Sequence, residues 1–424
     1  MNLSIRKGQF KKIAWTVLDQ GLFSGTNFLL NVYLARVLGV DEYGGFAVGY
    51  SVFLFAANIN KAYLVESFLV LGSGKYKEKI HKFLGIVFYQ HILISLALLI
   101  LFVPIYYLFL QQSSPLIRLS IIGAMFSIST ISLLWVLRRS AYILSKPQLP
   151  AFGGMLYLVV VFLLLFLYRS FFEMSVLGAF LILSVSSITV IVLFILIMKP
   201  ILSLNALRPS LRYIMNDQWS FGRWSILSAF LNWVPNNLFI YVLLYFYSLR
   251  EPGEYKAILN IVLPIQHLIS GLSLILLPSL SKLVFERDKA KFIKQIQSVL
   301  LVIVLGSCFY TIVLIVFGKE ITQFLYGNNY QFESIFYYII TGFLVFSIGL
   351  SFLYASIFRS LNQPKKIFYA NIFGVVFSVV IGIPLVANYG VKGALTSLFL
   401  VNLSGILFYV SHNYKRQLKT MLQL

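Results

Sequence analysis

Four full charges lie inside long apolar runs: Asp19, Lys61, Glu66 and Arg223. A charge at mid-membrane depth costs about 2.5–3.5 kcal/mol on insertion scales, so each needs a partner or water. Lys61 is the deepest cation, and Asn58 precedes it by three residues on the same helical face. A group of this kind holds an anion. Glu66 follows five residues later, about 140° round an α-helix, so no ion pair with Lys61 within the helix is expected. Asp19 and Glu66 are carboxylates suited to coupling H+ or Na+. Arg223 and Glu66 have a second reading, in which they snorkel to the membrane interface.

Amides form the second pattern. Thr16, Gln20, Ser24, Asn27 and Asn31 recur at steps of three or four and share one helical face. Ser225, Ser228, Asn232 and Asn236 repeat the arrangement, with Asn237 beside them. Such stripes turn away from lipid, either to line a wet cavity or to hydrogen-bond neighbouring helices. Amides and hydroxyls in a cavity suit a sugar. Arg36, at the far end of the first stripe, reads as a guard at a cavity mouth or as an interfacial anchor. The histidines (His81, His91, His267, His412) are scattered, and Cys308 has no partner of its own kind. Neither a phosphate-binding Gly-rich loop nor an HExxH motif is present. No catalytic constellation, metal site or cofactor is expected.

The elements that position these groups must be membrane spans. Of 424 residues, 59% are hydrophobic and 11% charged. Soluble domains carry about 25% charged residues, so a soluble enzyme of this length is excluded. Windows of about 20 apolar residues, enough to cross about 30 Å of hydrocarbon, give twelve spans. The N-terminal segment reads as a retained first helix, since no cleavage site follows a short apolar core. Of the 34 basic residues, 25 fall on the side of the two termini and seven on the other. That set includes Arg138, Arg139 and Lys146 between spans 4 and 5, and Arg359, Lys365 and Lys366 between spans 10 and 11. Positive charge marks the cytoplasmic side. The net charge of +21 is therefore a matter of topology spread over seven segments, which excludes a nucleic-acid groove. Those loops are expected to lie against anionic headgroups.

Three short matches recur with offsets of 212 to 217 residues. Arg139-Ser140 to Pro147 pairs with Arg359-Ser360 to Pro364, Val176–Ala179 with Val391–Ala394, and Glu42-Tyr43 with Glu254-Tyr255. The expected fold is an all-α integral membrane protein of twelve transmembrane helices, in two six-helix lobes related by a pseudo-two-fold axis along the membrane normal. The N-lobe spans 1–198, a cytoplasmic linker 199–217 and the C-lobe 218–424. Gly21/Gly25 and Gly45/Gly49 read as close-packing sites. Pro235 and Pro264 are expected to bend their helices.

The segment Asn31-Val-Tyr-Leu-Ala-Arg36-Val-Leu-Gly39-Val-Asp-Glu-Tyr43-Gly44 resembles the first-loop pattern of Wzx-type polysaccharide flippases, of the multidrug/oligosaccharidyl-lipid/polysaccharide exporter superfamily. Tyr389-Gly390-Val391-Lys392-Gly393-Ala394, and Asn362-Gln363-Pro364 after Arg359, resemble further motifs of that family. The resemblance implies a transporter rather than an enzyme. It implies alternating access that moves an undecaprenyl-pyrophosphate-linked oligosaccharide repeat unit from the cytoplasmic to the outer leaflet, for O-antigen, lipopolysaccharide or capsule synthesis. The cell inner membrane, with both termini cytoplasmic, is the implied location. Lys61, Arg223, Asn27, Asn31, Asn58, Asn232, Asn236 and Arg36 are the candidate contacts for cargo. Implied partners are the lipid-linked oligosaccharide, membrane lipids, H+ or Na+, and polysaccharide polymerase machinery. A drug antiporter of the same superfamily, or a membrane enzyme of glycan assembly, is the alternative.

Overall fold

The computed structural model describes residues 3–73, 75–144, 146–330, 332–361 and 363–411, and all its regular elements are helical. The basic C-terminal residues Lys415, Arg416 and Lys419 lie outside the described residues.

Helices α1 (Leu3–Val37), α5 (Pro115–Ile143), α6 (Gln148–Phe171), α7 (Val176–Met198), α8 (Leu204–Phe246), α9 (Arg250–Phe285), α10 (Lys289–Tyr326) and α11 (Phe336–Ser360) are each one rod. Three rods contain a π-helical segment. Lys61–Val65 joins α2 (Val40–Asn60) to α3 (Glu66–Ser73), Tyr106–Leu110 extends α4 (Ile80–Ile105), and Ser378–Gly382 joins α12 (Pro364–Phe377) to α13 (Ile383–Ser411). Two of these segments adjoin Pro104 and Pro384, where a missing N–H disturbs the helical ladder. The third, at Lys61, has no proline to account for it. Within α13, Gly390 takes φ +55 and breaks the helix. Among the described residues, nine helices are long and apolar enough to cross a membrane, with Lys365–Ser411 counted as one. The chain is a multi-pass membrane protein.

Local chemistry sets the helix ends. Ser114 caps α5 ahead of Pro115 by accepting from the Ile117 N–H, and Ser175 caps α7 by accepting from the Gly178 N–H at 3.1 Å. These side chains occupy donors that a helix start leaves unpaired. Gly327, at φ +66, stops α10. After the break at Gly390 the chain doubles back so tightly that a Cβ on Gly393 would strike the Leu385 carbonyl. The Gly-x-x-Gly spacing of the last motif thus follows from steric closeness, and Tyr247 donates to the Ala387 carbonyl at 2.9 Å beside the break.

The rods form two compact units, Met1–Leu30 with Gly45–Phe230, and Asn31–Gly44 with Leu231–Leu424. All three boundaries cut through continuous helices, α1, α2 and α8. The segment 199–217, expected as a linker, is helical from Leu204 and packed into the first unit. The Ile201 N–H donates to the His81 carbonyl at 3.2 Å, and the Tyr89 hydroxyl donates to the Leu202 carbonyl at 2.6 Å. Its polar sequence reads as loop in a hydropathy scan, yet an amphipathic helix needs only one apolar side.

In the first unit α5 runs along α7. Gly45 and Gly49 let α2 approach α5 at Ser120, as close-packing sites do, whereas Gly21 and Gly25 face open space. In the second unit α11 packs on α9, α10 and α13. Its segment 31–44 crosses the start of α9 at two glycines. A Cβ on Gly44 would meet the Leu249 carbonyl, and one on Gly253 the Val40 carbonyl. Apolar side chains gain little from leaving lipid, so such close backbone contact carries much of the packing.

Candidate functional site

The first unit holds the intramembrane charges. Asp19 is only 2% exposed and fully engaged. Arg138 Nε donates to its Oδ1 at 2.6 Å, Arg138 Nη2 to its backbone carbonyl at 3.2 Å, and the Tyr142 hydroxyl to Oδ2 at 2.5 Å. The guanidinium lies 4.1 Å from the centre of the Phe23 ring. Arg138 therefore is not a loop residue as its basic surroundings suggest. Helix α5 continues to Ile143 and buries it against α1, where the carboxylate offsets the cost of desolvation.

Lys61 is exposed on its rod, and Glu66 is half-buried. The π segment alters their relation. The Glu66 N–H donates to the Lys61 carbonyl, and five residues make about one π-helical turn. The two residues thus return to one side of the rod rather than lying about 140° apart, as α-helical geometry requires. No ion pair within 4.0 Å joins them. Arg139 and Arg223 are exposed, and Asn58 is half-buried. The polar stripe of α1 is buried or half-buried throughout. Gln20 Nε2 donates to Ser24 Oγ at 3.2 Å, and Asn27 Nδ2 donates to the Phe23 carbonyl at 2.9 Å.

Nearer the α8 start, outside the apolar run, Lys75 Nζ donates to Asp217 Oδ2 at 2.5 Å, and the Tyr76 hydroxyl donates to the same oxygen. The Lys75 hydrogen bond, followed by that of Tyr76, holds the Asp217 carboxyl below its usual range. Burial and the adjoining carboxylate push the Tyr76 hydroxyl up.

The second unit holds the open polar site. A cavity of about 310 Å³ is lined by Asn232 and Asn236 of α8, Arg359 of α11, Asn371 of α12, and Asn402 and Tyr409 of α13. Asn232, Asn236 and Arg359 are exposed, and Asn236 Nδ2 donates to the Asn232 carbonyl at 2.8 Å. Among the described lining residues Arg359 carries the single charge, with no carboxylate facing it. The arrangement presents one cation and several amides, which matches a hydroxylated group carrying an anion. Arg359 reads as a loop residue because it lies near Lys365 and Lys366, but α11 extends to Ser360 and keeps it on the helix. Asn402 gave no sequence signal beyond being an amide in an apolar span.

Two cargo candidates in this unit have other partners. Asn31 is buried, and its Oδ1 accepts from the Tyr43 hydroxyl at 3.4 Å. That hydroxyl accepts from Asn260 Nδ2 at 2.6 Å. Of the two readings of the α1 stripe, Asn31 fits interhelical bonding. Arg36 Nη1 donates to the Phe324 carbonyl at 3.3 Å, and the Arg36 carbonyl accepts from Asn329 Nδ2 at 2.8 Å. These bonds fit an anchor. No group of His, Cys, Asp or Glu among the described residues is placed to hold a metal ion.

Long helical rods in two units, with charges inside the spans and a polar cavity open within one of them, define a multi-pass membrane protein. Solved structures agree on the fold. An inward-facing multidrug-resistance MATE transporter of the MOP superfamily superposes with a TM-score of 0.77 at 15% identity, covering 95% of each chain. The lipid II flippase MurJ, inward closed, gives 0.69 at 15% identity over 97% of this chain and 87% of its own. A MOP superfamily transporter from Pyrococcus furiosus gives 0.64 at 13% identity over 96% and 95%. No curated protein sequence matches the chain. The profile of the polysaccharide biosynthesis protein family matches residues 33–335, and the chain belongs to that family.

Proposed function

We propose that the chain is a flippase for a lipid-linked oligosaccharide, moved from the cytoplasmic to the outer leaflet of a bacterial inner membrane by alternating access. The observation that carries this reading is the cavity headed by Arg359, a cation among amides with no carboxylate among the described lining residues. A drug-cation antiporter needs an acidic group at the cargo site, and this cavity supplies the opposite sign. Membership of a polysaccharide biosynthesis family points the same way. In this reading Arg359 meets the pyrophosphate of an undecaprenyl-linked repeat unit, and the exposed Lys61, Arg139 and Arg223 are separate candidate anion contacts within the first unit. Asn232, Asn236, Asn371 and Asn402 meet its sugars. Outward movement of an anion from a negative cell interior gains about 2.3 kcal/mol per charge per 100 mV, a drive that needs no nucleotide. Glu66 remains the candidate to couple H+ or Na+, because Asp19 is already paired. Both termini lie in the cytoplasm in this reading, and a polymerase receives the cargo outside.

The test is a deletion strain complemented with Arg359→Ala and Arg359→Lys. Lipid-linked repeat units are expected to accumulate on the inner leaflet with Arg359→Ala and to clear in part with Arg359→Lys. Full export by Arg359→Ala would remove the anion-site reading. Accumulation of single units already facing outward in the deletion strain would instead favour an enzyme of glycan assembly.

A further inference from the structure

The second unit has another cavity, at the end of α10 and the start of α11, that the transport reading does not use. It measures about 240 Å³. Its floor is aromatic and buried, formed by Tyr330, Phe332 and Tyr338; its rim is polar and exposed, formed by Lys319, Gln323, Asn328 and Glu333. The turn that shapes it is fixed from two sides. Gly327 at φ +66 ends α10, and Asn329 Nδ2 ties the loop to the Arg36 carbonyl at 2.8 Å.

Two of the floor groups have settled partners. The Tyr338 hydroxyl donates to the Phe332 carbonyl at 3.1 Å and lies 3.2 Å from Thr322 Oγ1. The Phe332 ring stacks on Tyr330, with centroids 5.9 Å apart. Tyr330 differs. It is 4% exposed, and its hydroxyl has no hydrogen-bond partner among the described residues. A buried hydroxyl left unpaired costs about 1–3 kcal/mol, so one that borders a cavity points to a partner taken up there.

We propose that this cavity binds a single sugar ring, with the Tyr330 hydroxyl and the rim amides taking its hydroxyl groups. The volume is below the range of about 300–1,000 Å³ for drug-sized ligands. The rim carries one cation and one carboxylate, so no net charge selects an ion. An aromatic floor receives the C–H face of a pyranose, while Gln323, Asn328 and Glu333 offer donors and acceptors for its edge. The inference rests on the flippase reading at one point, that glycans pass this end of the protein. Lys319 and Glu333 lie at the end opposite the basic loops, the outer end by charge.

The experiment is saturation-transfer difference NMR on the full chain in lipid nanodiscs. The probes are methyl glycosides of glucose, galactose, mannose, rhamnose and N-acetylglucosamine at millimolar concentration. At least one glycoside is expected to bind the wild type. Tyr330→Phe, which removes only the orphan hydroxyl, and Gln323→Ala/Asn328→Ala, on exposed positions, are each expected to weaken that binding about tenfold, equivalent to about 1.4 kcal/mol. No binding by the wild type, or unchanged binding in either variant, overturns the assignment. The result is independent of transport. A deletion strain with intact surface polysaccharide would remove the flippase reading and leave a measured glycoside site standing, whereas normal export with no glycoside binding would do the reverse.

Discussion

Replacing Asp19 by leucine leaves the Arg138 guanidinium in a buried site without its carboxylate. In the wild type that guanidinium makes two hydrogen bonds to Asp19, at 2.6 and 3.2 Å, and both side chains are almost wholly enclosed. Breaking a buried pair from one side costs about 3–5 kcal/mol, because an uncompensated charge remains. The cost is about 160-fold to 5,000-fold in the ratio of folded to unfolded protein. Arg138→Met alone strands the carboxylate, but the Tyr142 hydroxyl at 2.5 Å still donates to it and reduces the loss. It is expected at the lower end of that range. The double variant Asp19→Leu/Arg138→Met removes both charges and is expected within about 1 kcal/mol of wild type, or above it, as apolar replacements of buried pairs often are. Unfolding of the purified protein in mixed micelles titrated with sodium dodecyl sulfate measures all three. The double-mutant cycle then gives a coupling of several kcal/mol. Single variants that each lose less than 1 kcal/mol, or a coupling under about 0.5 kcal/mol, would refute the claim that this pair ties α1 to α5. The double variant also separates stability from transport. A purely structural tie predicts that it exports normally. An Asp19 that couples ions predicts a well-folded protein with no export.

Two further outcomes follow from the packing. The Lys75–Asp217–Tyr76 cluster holds the Asp217 carboxyl below its usual value. Its contribution is therefore present above the ordinary carboxylate pKa and is lost as pH falls through the depressed one. Because Lys75 is 61% exposed, that contribution is about 0–1 kcal/mol. Asp217→Asn is expected to flatten the acid limb of the stability profile by this small amount, and an unchanged limb would contradict the assignment. Gly44→Ala and Gly253→Ala each place a Cβ against a main-chain carbonyl at the crossing of segment 31–44 with α9. Each is expected to lower stability by about 1–3 kcal/mol in the same micelle titration, while Gly21→Ala, in open space, leaves it within about 0.5 kcal/mol of wild type.

Composition alone determined that this chain lives in lipid, because 11% charge cannot supply a polar shell for a soluble fold of this size. The spacing of apolar runs determined the rods, since each depends on neighbours in sequence, and the basic residues between them set the expected sidedness. The glycines at 44, 390 and 393 were legible as motifs; the cause at 44 and 393 is a backbone approach that only a missing Cβ permits, and at 390 a positive φ. Tertiary structure decided which polar groups are satisfied within the protein and which border a cavity. Asn31 and Asn236 look equivalent in sequence, yet a tyrosine twelve residues away occupies the first and the second borders a cavity. Arg138 looks like a loop cation, yet its partner lies 119 residues earlier. Arg359 looks like another, and it heads the cavity. A π segment turned Lys61 and Glu66 toward one side, a rotation that counting at 3.6 residues per turn cannot find. Hydropathy sums residues along one span and carries no information about azimuth or about partners on other helices. Those two quantities fix the fate of a charge in the membrane, and they exist only once the helices have packed.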